Sequence, residues 1–348
     1  MSDISVTDKN FAVKTNIDKN GIRFYNIDEA PFEIYGVFRE GDKYRRMPEN
    51  IAKKVSDGVH RLHTNTSGGR VRFVTDSEYV AIYAKMDGLG KMPHCAFTAS
   101  MGFDMYDGNK YIKTFVPPRD MTEGYESIIE MNSSTEHLIT INFPLYSNVS
   151  ELYIGLSDKA SIKKAPPYKN SLPVVYYGSS ITQGACASRP GRCYTSIISR
   201  EFDCDYINLG FAGCAKAEDE IIEYIKTLDM SVFVLDYDHN SPTMEHFQST
   251  HEKMFKAIRE AKKDIPIIIM SRPTYSLSER EEERLQIIRA TYKNAIREGD
   301  RNVYLLDGRT LMSLCGDEGT ADSCHPTDFG FASMAKALGD VIRKNKLL

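Results

Sequence analysis

The run Val174-Val175-Tyr176-Tyr177-Gly178-Ser179-Ser180-Ile181-Thr182-Gln183-Gly184 decides how this chain is read. Four bulky residues stop at a glycine, and small polar residues follow. That pattern predicts a buried parallel strand breaking into a loop at its carboxyl end. Ligands of open α/β sheets bind at such ends. Ser180 sits at the break, so its hydroxyl is expected to face a crevice and not a core.

Working outward, the chain after residue 168 alternates. Apolar runs at 173–177, 205–209, 231–237, 265–270 and 302–306 are separated by helical patterns. In 243–263, Met244, Phe247, His251, Met254, Phe255, Ile258 and Ala261 recur on one face. In 278–297 the inward set is Leu285, Ile288, Tyr292 and Ala295, and in 328–343 it is Phe331, Met334, Ala335, Leu338 and Ile342. Strands alternating with helices predict a parallel sheet covered on both sides. Five strands joined by right-handed crossovers predict a flavodoxin-like, three-layer α/β/α domain.

The first half lacks that rhythm. Short runs at 70–74, 78–84, 138–143 and 152–156 are rich in Val, Ile, Phe and Tyr, with polar turns between them. Asp107-Gly108 is a hairpin signal. These features predict an antiparallel β-sandwich, jelly-roll-like, interrupted by one helix over 48–59 with Ile51, Val55 and Val59 at helical spacing. The composition shifts at Lys163-Lys164-Ala165-Pro166-Pro167-Tyr168, a stiff linker sequence. At 348 residues, two domains are expected, 1–168 and 169–348.

Bulk properties narrow the function. A formal net charge of -4 argues against nucleic acid or an anionic membrane as partner. No apolar run nears the roughly 20 residues of a membrane span. The polar start, Met1 to Ser5, has no signal-peptide core, so a cytoplasmic location is expected. Seven cysteines, without a CxxC pair, read as mostly reduced thiols, with a Cys186–Cys193 bridge as the less favoured alternative.

Four of the five predicted sheet strands are followed by a polar cluster, after the first, second, third and fifth runs. These are Gly178-Ser179-Ser180, Asn208 to Gly213, Asp236-Tyr237-Asp238-His239-Asn240 and Asp322-Ser323-Cys324-His325-Pro326. Brought to one rim, they assemble what acyl transfer requires. A serine hydroxyl needs a base to take its proton. His325 can be that base, with Asp322 accepting its Nδ1 proton. The oxyanion needs preorganised donors, for which the N–H groups of Ser180 and Gly213 and the amide of Asn240 are candidates. Taken singly, each residue has an ordinary reading: Ser180 and Asn240 as helix caps, Gly213 as a turn residue, His325 as a cap, Asp322 as a loop acid. Asp236, Asp238 and His239 raise a competing reading, a divalent metal site, but no other acidic or histidine cluster plainly completes it. No metal or other cofactor is expected. Tyr177 and Tyr237, with Phe211 and Tyr275, are candidates to line a substrate pocket, although aromatics at strand ends more often pack.

These blocks resemble the SGNH (GDSL-type) hydrolase superfamily. Gly178-Ser179-Ser180-Ile181 is similar to its Gly-Asp-Ser-Leu block, with Ser180 at the nucleophile position and Ser179 replacing the aspartate. Asn208 to Gly213 resembles the second block and Asp322 to His325 the closing Asp-x-x-His. The third block departs from Gly-x-Asn-Asp, and Asn240 is its best match. Ser67-Gly68-Gly69-Arg70-Val71-Arg72-Phe73 and Gly102 to Tyr106 resemble the β-sandwich module of one branch of these enzymes. The resemblance implies a cofactor-free serine esterase acting on small acyl esters through an acyl-enzyme, most simply deacetylating a sugar or oligosaccharide. The alternatives are a thioesterase or lysophospholipase-type acyl hydrolase, or an inactive glycan-binding protein.

Overall fold

A computed structural model describes residues 13–348, so the polar start at Met1 to Ser5 lies outside the described residues. The chain divides into two compact units. The first comprises the chain up to Arg45, Thr64–Pro167 and Arg189–Gly191; the second comprises Arg46–His63, Tyr168–Ser188 and Arg192–Leu348. Arg46–His63 therefore belongs with the later half of the sequence, although a cut at 168/169 assigns it to the earlier one.

The first unit is an antiparallel sandwich. One sheet pairs Ile22–Asn26, Glu151–Ser157, Tyr79–Lys85 and Gly124–Glu130 in that order. The other is built around Arg70–Thr75, His137–Asn142, Phe103–Asp107 and Lys110–Phe115. The predicted hairpin at Asp107-Gly108 is present, with Gly108 at φ +54°. Alternation sorts the side chains: Val71, Phe73, Ile139, Ile141, Ile82 and Ile154 enter one core between the sheets. Each such burial contributes roughly 1.5–3 kcal/mol.

The second unit holds five parallel strands: β1 (Asn170–Gly178), β2 (Cys204–Gly210), β3 (Val232–Asp236), β4 (Ile267–Met270) and β5 (Val303–Leu306). Their spatial order is β2-β1-β3-β4-β5. The order reverses at β1, so the switch point lies at the carboxyl end of the opening run. The central strands β3 and β4 are buried throughout, as is β1 from Val174 to Gly178, as a sheet covered on both faces requires.

Two helices come from the early segment, α1 (Glu49–Val55) and α2 (Asp57–Leu62). The expected continuous helix over 48–59 is thus broken. Ser56 is extended, at φ -175° and ψ 161°, and its hydroxyl accepts the Val59 N–H to cap α2. The nucleophile run gives the one-turn α3 (Ser180–Gln183), followed by α4 (Tyr194–Phe202), α5 (Asp219–Thr227), α6 (Met244–Ala261), α7 (Glu279–Arg297), α8 (Gly308–Leu311) and α9 (Asp328–Asn345). Val175, Tyr177, Phe233, Leu235, Ile267 and Ile269 share one core with residues of α1, α2, α5, α6 and α7. On the opposite side Tyr176 meets Tyr194 edge-on, and Tyr194 stacks on Phe331 of α9. The result is the three-layer α/β/α architecture. Among the described residues no helix is long and apolar enough to cross a membrane, and the seven cysteines are free thiols.

Candidate active site

β1 ends at Gly178, where there is no room for a side chain. A Cβ there would collide with Thr182 Oγ1 and with the Asp236 carbonyl. Ser179 then caps α3: its buried hydroxyl accepts the Ile181 N–H at 3.1 Å. Ser179 thus supplies the cap acceptor at this turn. The turn closes on Gly184, at φ +106°. Ser180, first in the helix, is left half-buried at the carboxyl end of the strand.

Its Oγ lies 2.9 Å from His325 Nε2. His325 Nδ1 lies 2.8 Å from Asp322 Oδ2. Asp322 Oδ1 in turn accepts the backbone N–H groups of His325, at 2.8 Å, and Cys324, at 3.1 Å. Burial pushes the Asp322 carboxyl up. The hydrogen bonds from the His325 backbone and ring outweigh that, and its pKa falls to about 2. Asp322 is therefore a carboxylate at neutral pH. The structure brings together three residues that lie up to 145 positions apart in the sequence.

Gly213 is exposed and sits at φ +70°, in a turn closed by Cys214 N–H to Phe211 O at 2.9 Å. Asn240 ends a single 3-10 turn, Asp238–Asn240. Its Oδ1 accepts the Ala215 N–H at 3.3 Å, which directs the amide nitrogen away from that contact as a donor. Asn240 does not cap α6, since Thr243 does so through the His246 N–H.

Several residues that hold these loops carried no signal in the sequence. Arg46 is buried; its guanidinium donates to the carbonyls of Asn208 (3.0 Å), Gly210 (2.5 Å) and Leu62 (2.7 Å), and lies 4.7 Å over the Phe211 ring. Asn208 Nδ2 donates to Thr182 O, and Gln183 Oε1 accepts the Ala212 N–H, so the first and second blocks are tied directly. Beneath α3, Asp236 is wholly buried. Its Oδ2 accepts from Thr182 Oγ1 at 2.8 Å and from the Tyr194 hydroxyl at 3.4 Å, while Oδ1 has no partner. Desolvation pushes its pKa up to about 8, further raised by the neighbouring Asp238 charge and only partly offset by the hydroxyls.

Two expectations change. Tyr177 and Tyr237 are each 1% exposed and belong to the core. The Tyr177 hydroxyl accepts the Ala217 N–H, and the Tyr237 hydroxyl is 2.9 Å from Thr250 Oγ1. Both rings continue the strand face that packs on helices, so neither is open to a ligand. Phe211 is buried too, whereas Tyr275 is exposed. The Asp236, Asp238 and His239 side chains disperse. Asp238 pairs with Arg284 Nε at 2.5 Å, and His239 Nδ1 lies 3.7 Å from Cys324 Sγ.

Comparison with known proteins finds matches over both parts of the chain. Residues 171–343 match the model of the GDSL-like Lipase/Acylhydrolase family, and residues 22–162 match that of the N-terminus of Esterase_SGNH_hydro-type proteins. A Bacteroides ovatus protein described as GDSL-like lipase superposes with a TM-score of 0.83 at 26% identity, over 93% of this chain and 97% of that one. A salicylyl-acyltransferase from a tetracycline biosynthetic pathway gives 0.77 at 19% identity, over 95% and 99%. An acetyl xylan esterase from the rumen bacterium Butyrivibrio proteoclasticus gives 0.61 at 14%, over 93% and 98%. None of the curated proteins compared matches the chain in sequence.

Proposed function

The chain belongs to the GDSL-like lipase/acylhydrolase family, and on that premise we propose that this ester hydrolase uses Ser180 as nucleophile on small acyl esters, acetyl groups of a sugar or oligosaccharide foremost. One observation carries the reading: the unbroken relay from Ser180 Oγ through His325 to Asp322, at 2.9 and 2.8 Å. His325 Nε2 takes the serine proton as Oγ attacks the carbonyl carbon. The imidazolium that forms sits against a carboxylate that is already ionised. The same proton then goes to the departing alcohol, leaving an acyl-enzyme. Water enters, gives its proton to Nε2, and releases the acid and Ser180. The N–H groups of Ser180 and Gly213 and the Asn240 amide stabilise the oxyanion in both halves. The acetyl-sugar preference is supported by the fold shared with an acetyl xylan esterase.

Labelling with a fluorophosphonate tests the nucleophile, since it requires an activated hydroxyl. The adduct is expected on Ser180, and an adduct elsewhere overturns the assignment. A p-nitrophenyl ester series tests the acyl group. Rates should fall steeply beyond acetyl and propionyl, and acetylated xylo-oligosaccharides should release acetate. A preference for long acyl chains or thioesters would reject the substrate class while leaving the nucleophile intact.

A further inference from the structure

We propose that Cys186, Asp322 and His325 form a site for a thiophilic divalent cation of the zinc class, and that its occupation switches the esterase off. One donor atom from each residue, a thiol sulfur, a carboxylate oxygen and a ring nitrogen, lies within 4.8 Å of the other two. This is a donor set that zinc takes, with bonds of about 2.0–2.3 Å and a fourth position open to water or substrate. Closing the three atoms onto one ion asks each to move by about an ångström or less, on that bond length. Cys186 comes from the loop after α3, and the other two from the loop before α9, so the ion would bridge two loops.

The thiol is held in place by an uncommon backbone. Cys186 is at φ +69°, a left-handed conformation that residues with a Cβ rarely adopt. It is half-buried beside the exposed Asp322, so ion and water can reach the group. Asp322 arrives ionised, and metal binding displaces the thiol proton to solvent as the sulfur–metal bond forms. Either ring nitrogen gives the same consequence. A metal on Nε2 occupies the lone pair that receives the Ser180 proton. A metal on Nδ1 leaves the remaining proton on Nε2, which then donates and cannot accept. The base is lost in both cases.

The inhibitory consequence rests on the proposed Ser180–His325–Asp322 reading, whereas the metal binding does not. Cobalt(II) separates the two. Titrated into the full chain, it should produce a near-ultraviolet thiolate-to-cobalt charge-transfer band that is absent from Cys186→Ser. Ser180→Ala should keep that band whether or not Ser180 proves to be the nucleophile. Zinc should inhibit p-nitrophenyl acetate hydrolysis by the wild type, reversibly with EDTA. Cys186→Ser places another L-residue in the same conformation and should hydrolyse the ester normally. It should need at least about tenfold more zinc, because even a residue supporting a metal ligand is worth 10–100-fold in affinity. No charge-transfer band, or equal zinc sensitivity in Cys186→Ser, overturns the proposal. So does a Cys186-dependent band with hydrolysis unaffected.

Discussion

Two aspartates flank the nucleophile turn and are held in opposite states. Asp322, on the rim, is 37% exposed and accepts three hydrogen bonds, two from backbone N–H groups and one from the His325 ring. Its pKa is about 2. Asp236, in the floor beneath α3, is fully buried, receives only two hydroxyl bonds and has a pKa of about 8. The side chains are identical, so the difference is made by donors and solvent. At neutral pH the rim carries a charge ready to face an imidazolium. The floor is largely protonated, and so adds little charge below the turn that must support an oxyanion. A site that develops charge on its open side is kept near neutrality on its closed side.

The rim is where substitution should cost most. Replacing the nucleophile, Ser180→Ala, should lower kcat by on the order of 10⁶-fold with the melting temperature little changed, by analogy with serine hydrolases stripped of the nucleophile. A variant retaining a tenth of wild-type activity would sink the nucleophile assignment. Next in size is Asp322→Asn. It keeps the shape but offers His325 the wrong partner, and should cost on the order of 10⁴ in kcat. Fluorophosphonate labelling of Ser180 should slow in parallel; unchanged labelling would mean that the carboxylate is not orienting the base. Asn240→Ala should cost about 10²–10³ in kcat with KM nearly constant, the signature of a donor used only in the transition state. A pure KM effect would reassign Asn240 to substrate binding.

The smallest effect tests the floor. A carboxyl raised from 3.8 to about 8 keeps a proton in the folded chain that the unfolded chain has released between those values. Its contribution is complete below about pH 4 and is lost as pH rises through 8, with a slope of at most ~1.4 kcal/mol per pH unit. Asp236→Asn removes the titration. The variant's stability relative to wild type, from urea unfolding, should therefore climb between pH 5 and pH 8. A flat difference would show that the floor does not titrate there.

Much of this was legible because each block is a short contiguous run, and the first three follow directly on an apolar run, where a polar cluster marks the rim of a sheet. Ser180 announced itself in that way, His325 through the acid three residues before it, and the doubly wound fold followed from the alternation of strands and helices with right-handed crossovers. What was hidden depended on distant packing. Arg46 is one arginine in a basic stretch, and nothing local says that it caps the carbonyls of Asn208 and Gly210. Thr182, Tyr194 and Asp236 meet only when the sheet closes. The pocket role expected for Tyr177 and Tyr237 failed on parity. Each shares a face with Val175 or Leu235 and so points where those residues point, into the helices. Ser56 shows a local competition that periodicity misses, a hydroxyl able to cap a new helix inside an otherwise helical pattern.

The early segment Arg46–His63 has a consequence for inheritance. The second unit is continuous in space but not along its gene. Helix α1 packs on α5, and Arg46 clamps the carboxyl end of β2, yet both are encoded ahead of most of the sandwich. A recombination event that swapped the coding region upstream of residue 168 with that of a relative would replace more than an accessory module. It would exchange a wall of the hydrolase core, leaving Ile221, Ile222 and Phe211 against foreign side chains. The two halves of such a gene are under pressure to descend together, and hybrids should survive only where α1, α2 and the arginine travel with the sheet they support.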